Sequence, residues 1–126
     1  MAVIYEDIET TLVSHLATAL GSSVRVATKK AAPDAVQPAK QVIITVTWAN
    51  DKERVTKYAS VQLEIYATGD IEASNLALLA EAHLRQATVG PIKRVEIIAG
   101  PVRLGDETDQ EKRSISAEVV VQATDL

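Results

Sequence analysis

The chain contains no cysteine and no phenylalanine, and only one tryptophan and three tyrosines among its 126 residues. The first absence excludes disulfides, thiol nucleophiles and thiolate metal sites, and leaves the compartment open. The second forces an aliphatic core. Glycine is sparse and scattered, with five residues, and forms neither a Gly-x-Gly-x-x-Gly pattern nor a phosphate loop, so nucleotide binding has no support. No apolar run approaches the roughly 18 residues of a spanning helix. Residues Met1 to Asp7 lack the basic and apolar regions of a signal peptide, which predicts a protein made and used in soluble form, away from membranes. Positive charge is also in short supply: 13 Lys and Arg stand against 17 Asp and Glu, for a net charge of −4. Tight nucleic-acid binding draws most of its affinity from phosphate neutralisation, and this balance argues against it.

What is present is the material for one domain over residues 1–126, 47% apolar and long enough to bury roughly two-thirds of its unfolded surface. Ile8, Leu12, Leu16 and Leu20 recur every four residues and predict an amphipathic helix from Tyr5 to Leu20, stopped by Gly21. Val24 and Val26 mark a short strand. The stretch Lys29 to Lys40, rich in Ala, Lys and Pro, reads as a long exposed loop, either a plain connector or a functional segment. Gln41 to Ala49 and Val55 to Ala67 alternate as two strands of a hairpin. One face carries Val42, Ile44, Val46, Trp48, Val61, Leu63 and Ile65, and the other Thr45, Thr47, Ser60, Gln62 and Glu64. Asp70 is the expected N-cap of a second helix running to Ala87, with Ile71, Leu76, Leu79, Ala80, His83, Leu84 and Ala87 as its buried stripe and Ala73 and Ala77 allowing close approach to the sheet. Val95, Ile97 and Ala99 form a strand that continues through Val102–Leu104 beyond a kink at Gly100-Pro101, then an acidic loop spans Gly105 to Lys112. A last strand sets Ile115, Ala117, Val119 and Val121 against Ser114, Ser116, Glu118 and Gln122. This order predicts an α+β fold: a mainly antiparallel sheet of four or five strands with two helices on one face.

No constellation of catalytic residues emerges. His15 and His83 sit on apolar helical stripes without Cys or a His-Glu-x-x-His spacing, so packing explains them better than metal ligation. The serines lack a nucleophile elbow. The cluster Asp106, Glu107, Asp109 and Glu111 lacks a calcium-loop pattern and reads first as a solvated hairpin tip, with a subunit contact or an adventitious cation site as the alternative. Lys29, Lys30 and Lys40 form a small basic group with no interleaved aromatics for base stacking. The expectation is a protein that is not an enzyme and needs no metal or cofactor.

From Val61 onward the chain resembles the tail terminator proteins of long-tailed bacteriophages, particularly those of phages infecting actinobacteria. The resemblance is carried by Val61-Gln62-Leu63-Glu64-Ile65-Tyr66-Ala67-Thr68, by the Ala- and Leu-rich run Leu76 to Arg85, and by Gly90-Pro91-Ile92-Lys93-Arg94-Val95. Gly100-Pro101-Val102, the acidic loop at Asp106 to Asp109 and Arg113 with its alternating strand continue it, and the opening helix also fits. Tyr66 stands where such proteins often carry Trp, and Ser114 where an aromatic residue commonly follows the Arg. The resemblance implies a virion subunit, assembled in the bacterial host cytoplasm, that forms a homo-oligomeric ring, typically a hexamer. Such a ring caps the tail tube at its final length, at the head-proximal end of the tail, and receives head completion or connector proteins. DNA would pass through without specific binding. With that role Thr45, Thr47, Gln62, Glu64 and Glu118 become candidates for the lumen. Lys29, Lys30 and Lys40 of one subunit become candidates to meet Asp106, Glu107 and Asp109 of the next, a heterologous contact. The alternatives are another head-to-tail connector or minor tail subunit, or a small-molecule-binding α+β regulatory domain.

Overall fold

The computed structural model of the chain describes residues 3–4, 7–32, 38–48, 56–104 and 110–125. The first helix, α1 (Ile8–Leu20), buries Ile8, Leu12 and Leu16, the four-residue repeat that put one apolar face on a 3.6-residue helix. It starts later than the expected Tyr5 because Asp7 is its N-cap: the Asp7 carboxylate accepts the Glu9 N–H at 2.9 Å and the Thr10 hydroxyl at 3.2 Å, satisfying groups a helix start leaves orphaned. Gly21 ends the helix with φ +89°, and its N–H returns to the Ala17 carbonyl. That backbone region favours a residue with no Cβ.

The main sheet has five strands in the order β2-β3-β4-β6-β5, with β2 at Arg25–Ala27, β3 at Lys40–Trp48, β4 at Thr56–Ala67, β5 at Ile92–Leu104 and β6 at Glu111–Gln122. Its pairings are antiparallel except β2 with β3, which is parallel. The fold is therefore α+β with a mostly antiparallel sheet, as the element order implied. Because β4 and β5 both run antiparallel to the strand between them, they run in the same direction, and the helix α2 (Asp70–Arg85) is the crossover that makes this possible. Strand β5 continues through Gly100-Pro101, with register irregularities between Ile97 and Ala99 and between Ala99 and Val102, as bulges and proline dictate for an edge strand. Separately, β1 (Val3–Ile4) and β7 (Thr124–Asp125) pair as a two-stranded antiparallel ribbon, which two-residue strands do not announce in sequence.

Both helices lie on one face of the sheet, α1 over β2 and β3, α2 over β4, β5 and β6. Between the layers sits an aliphatic core that includes Leu12, Leu16, Ile44, Leu63, Ile65, Leu84, Ile92 and Ile115. Each such side chain contributes about 1.5–3 kcal/mol when fully buried.

The second helix corrects two expectations. Its N-cap is Gly69, with no side-chain capping bond. Asp70 is the first helical residue, and its carboxylate is held by the Arg113 guanidinium instead. A Cβ at Gly69 would stand 2.1 Å from the Glu72 carboxylate, the far end of a flexible side chain that would swing aside to admit it. The buried stripe is also rotated. Ala73, Leu76, Ala77, Ala80 and Leu84 face the sheet, whereas Ile71 is 73% exposed and Leu79 also lies outside the core. Alanines let the helix approach the sheet closely, and that ridge displaces the bulkier Ile71 and Leu79 outward.

Candidate functional site

Strand alternation sends every second side chain away from the helices, to the outer face of the sheet. Cross-strand register assembles those residues in rows. Thr45 opposes Gln62, and Gln62 opposes Ser116; Thr47 opposes Ser60, Ser60 opposes Glu118, and Glu118 opposes Glu96. These rows floor a groove of about 370 Å³ walled on the β5 side by Ile98. Thr45, Thr47, Ser60 and Gln62 are exposed, and Glu118 is half-buried.

Hydrogen bonds order this face. The Gln62 side-chain amide donates to the Ser114 hydroxyl at 3.2 Å. Glu64 accepts the Tyr66 hydroxyl at 2.9 Å and lies 3.6 Å from the Lys112 ammonium. Glu96 and Glu118 are paired like charges, an arrangement that is unfavourable without compensation. Arg94 lies 3.8 Å from Glu96, an exposed pair that offsets little of it. The groove thus offers hydroxyls, the Gln62 amide and the Glu118 carboxylate, and among the described residues no Lys or Arg lines it.

The other end of the same face is covered. Between β2 and β3, Lys30, Ala31 and Pro38 lie against this outer surface. The Gln41 side-chain carbonyl accepts the Ala31 N–H at 3.2 Å and an Arg25 N–H at 3.1 Å. The Lys30 ammonium lies 4.3 Å from the centre of the Tyr66 ring, a cation–π contact. Beneath this strap Gln41, Ile43 and Tyr66 are buried. The Gln110 side chain donates to the Pro38 carbonyl at 2.9 Å and ties the strap to the start of β6.

The candidate residues fall as follows. Thr45, Thr47, Gln62, Glu64 and Glu118 share the outer face. The three lysines do not share one surface. Lys29 is exposed, with its carbonyl bonded to Arg25 at 2.7 Å; Lys30 lies on Tyr66; and Lys40 lines a crevice beside Glu72 and Asn75 on the helix side. Asp106, Glu107 and Asp109 lie outside the described residues. The His15 Nε2–H donates to the His83 carbonyl at 2.8 Å, joining the two helices. Among the described residues no three His, Cys, Asp or Glu side chains converge as metal ligands, and no helix is long and apolar enough to cross a membrane.

Sequence reasoning passed over Ile98 and Glu96. Consecutive apolar residues at Ile97 and Ile98 cannot both face the core from one strand, and that was the available signal.

No family model matches the chain, and no curated protein matches it. A chain from the virion of a native gene transfer agent particle does match in structure, with a TM-score of 0.66 over 91% of this chain and 94% of that one, at 15% sequence identity. At that identity the likeness is one of fold.

Proposed function

We propose that this chain is a structural, non-enzymatic subunit of a phage-type virion. In this reading it closes the tail tube at its final length as a homo-oligomeric ring, a hexamer by the sequence resemblance, and presents a docking surface to head completion or connector proteins. The observation that most supports it is the near full-length likeness in fold to a chain of a gene transfer agent virion. The tail terminator resemblance of the stretch from Val61 to Val121 supports it from the sequence side.

The outer face suits a passage for DNA. Thr45, Thr47, Gln62, Glu64 and Glu118 would line it, and the described residues of its groove include no Lys or Arg to neutralise phosphates, the main source of tight nucleic-acid binding. Of the three lysines proposed to meet the acidic loop of the next subunit, Lys29 is the exposed one. The protein would be assembled in the bacterial cytoplasm and retained in the virion at the head-proximal end of the tail.

The test is electron microscopy of the purified chain mixed with tail tubes grown from tube protein. A ring at one tube end, with no further growth when fresh tube protein is added, is the expected result. Tubes that bind no chain, or that keep growing past it, refute the reading. Binding to isolated connectors but not to tubes would favour a head-to-tail connector instead.

A further inference from the structure

The sheet ends in two unlike edges. Edge strand β5 carries the features that keep a sheet edge from pairing: register irregularities, Pro101, and the charges of Lys93, Arg94 and Arg103. The opposite edge is only half filled. Strand β2 pairs with Gln41, Val42 and Ile43 alone, so from Ile44 to Thr47 strand β3 has β4 on one side and, among the described residues, no strand on the other. None of the protecting features of β5 recurs there. Ile44, Thr45, Val46 and Thr47 are all β-branched, with no charge, proline or glycine among them, and their register with β4 is unbroken. The slot is about 13 Å long, and alternate residues, two of the four, direct their N–H and C=O groups into it.

We infer that this slot is a strand-addition site, filled by an extended segment of a different virion protein lying in line with β2. Only extended backbone complements a row of alternating donors and acceptors. The two faces of the sheet set the pattern of that segment. On the helix side Val46 and Val13 are half-buried at the margin of the core. Val13 stands about 160° round α1 from His15, the residue that bonds to α2, and so lies on the flank of α1 turned towards this edge. On the other side Thr45 and Thr47 are exposed. The segment is therefore at least four residues long, apolar where it faces α1 and polar where it lies beside the threonines. No other described strand of this chain supplies it, because β1 and β7 have two residues each and β5 is interrupted by its bulges and Pro101. The β3 edge of a second copy reaches the slot only like to like, about a two-fold axis, in a closed pair. The ring reading, on which the inference rests for this choice alone, leaves the slot to another protein.

The slot is tested in the full chain by tethering a strand to it. A segment of alternating valine and threonine is fused after Leu126 through a Gly/Ser linker of about 20 residues, whose reach is about 25 Å and which holds the segment at about millimolar effective concentration. The control fusion carries proline at the centre of the segment, which cannot join a ladder. Amide hydrogen exchange is followed by NMR on dilute, monomeric samples. The expected result is exchange at least about threefold slower than in the control at two alternate amides between Ile44 and Thr47, with the β5 amides of Ile97, Ile98 and Ala99 unchanged. Equal exchange in the two fusions, or slowing on β5 as large as in the slot, overturns the site. Protection of the slot in the unfused chain that grows with concentration assigns it to a second copy and overturns the proposed occupant. Tube capping is scored separately with the unfused chain. Capping with equal exchange in the fusions keeps the tail role and removes the site; slowed exchange without capping does the reverse.

Discussion

Removing the charge of Arg113 should destabilise the protein less than removing its partner. Arg113 reaches across the interlayer boundary, and its side chain is only 6% exposed, whereas that of Asp70 is 59% exposed and that of Glu111 30%. One guanidinium nitrogen binds Asp70, and the other donates to the Lys112 carbonyl at 3.1 Å and lies 3.4 Å from Glu111. A fully buried pair broken on one side costs about 3–5 kcal/mol, an exposed pair about 0.2–1. This pair has one buried member and one wet member, so the two deletions differ. Asp70→Ala leaves a buried guanidinium with only Glu111 to balance it and should cost about 1.5–2 kcal/mol, part of it the lost carboxylate at the helix start. Arg113→Met keeps the apolar stem and leaves two carboxylates that water can solvate, and should cost about 1 kcal/mol or less. In the Arg113→Met background Asp70→Ala should then cost about 1 kcal/mol less than in the parent, the coupling read by a double-mutant cycle. Urea unfolding measures each value, and thermal midpoints should move by about 4 °C per kcal/mol for a chain of this size. An Asp70→Ala cost unchanged by the Arg113→Met background, or an Arg113→Met cost above that of Asp70→Ala, would refute the reasoning.

Two further outcomes test the packing. Leu76→Ala should cost about 2–5 kcal/mol in urea unfolding while Ile71→Ser stays within about 0.5 kcal/mol, because Leu76 is buried against the sheet and Ile71 is not; similar costs for both would return Ile71 to the core. Gln41→Met should leave the core volume nearly unchanged yet release the strap, so hydrogen exchange at the Ala31 amide should accelerate by at least tenfold with the amides of β4 unaffected.

The sheet and the order of elements were legible because alternation at Val42–Val46 and Val61–Ile65 is strict and its apolar residues are large. The second helix was harder. Its sequence offers Ile71, Leu76, Leu78 and Leu79 around much of its circumference, and side-chain hydrophobicity added Ile71 and Leu79 to a face whose Leu76, Ala80 and Leu84, and whose close-approach Ala73 and Ala77, are buried. Close packing on the alanines turned Ile71 and Leu79 outward, because a helix can sit nearer a sheet on small residues than on large ones. The same blindness hid the strap. Nothing local to Gln41 or Ile43 signals burial on a face that is otherwise wet; the cause is the segment at Lys30 and Ala31, between β2 and β3. On the outer face, the membership of Thr45, Thr47, Gln62, Glu64 and Glu118 followed from alternation, whereas Ile98 joined them through the register irregularity of β5.

The ribbon of β1 and β7 has a practical meaning for any assembly this chain enters. Val3 lies opposite Asp125 and Ile4 opposite Thr124, neighbours at the roughly 5 Å spacing of paired strands. A label attached before the one or after the other therefore departs from the same spot on the molecule. In any assembly it would mark the same position on the subunit whichever of the two strands carries it.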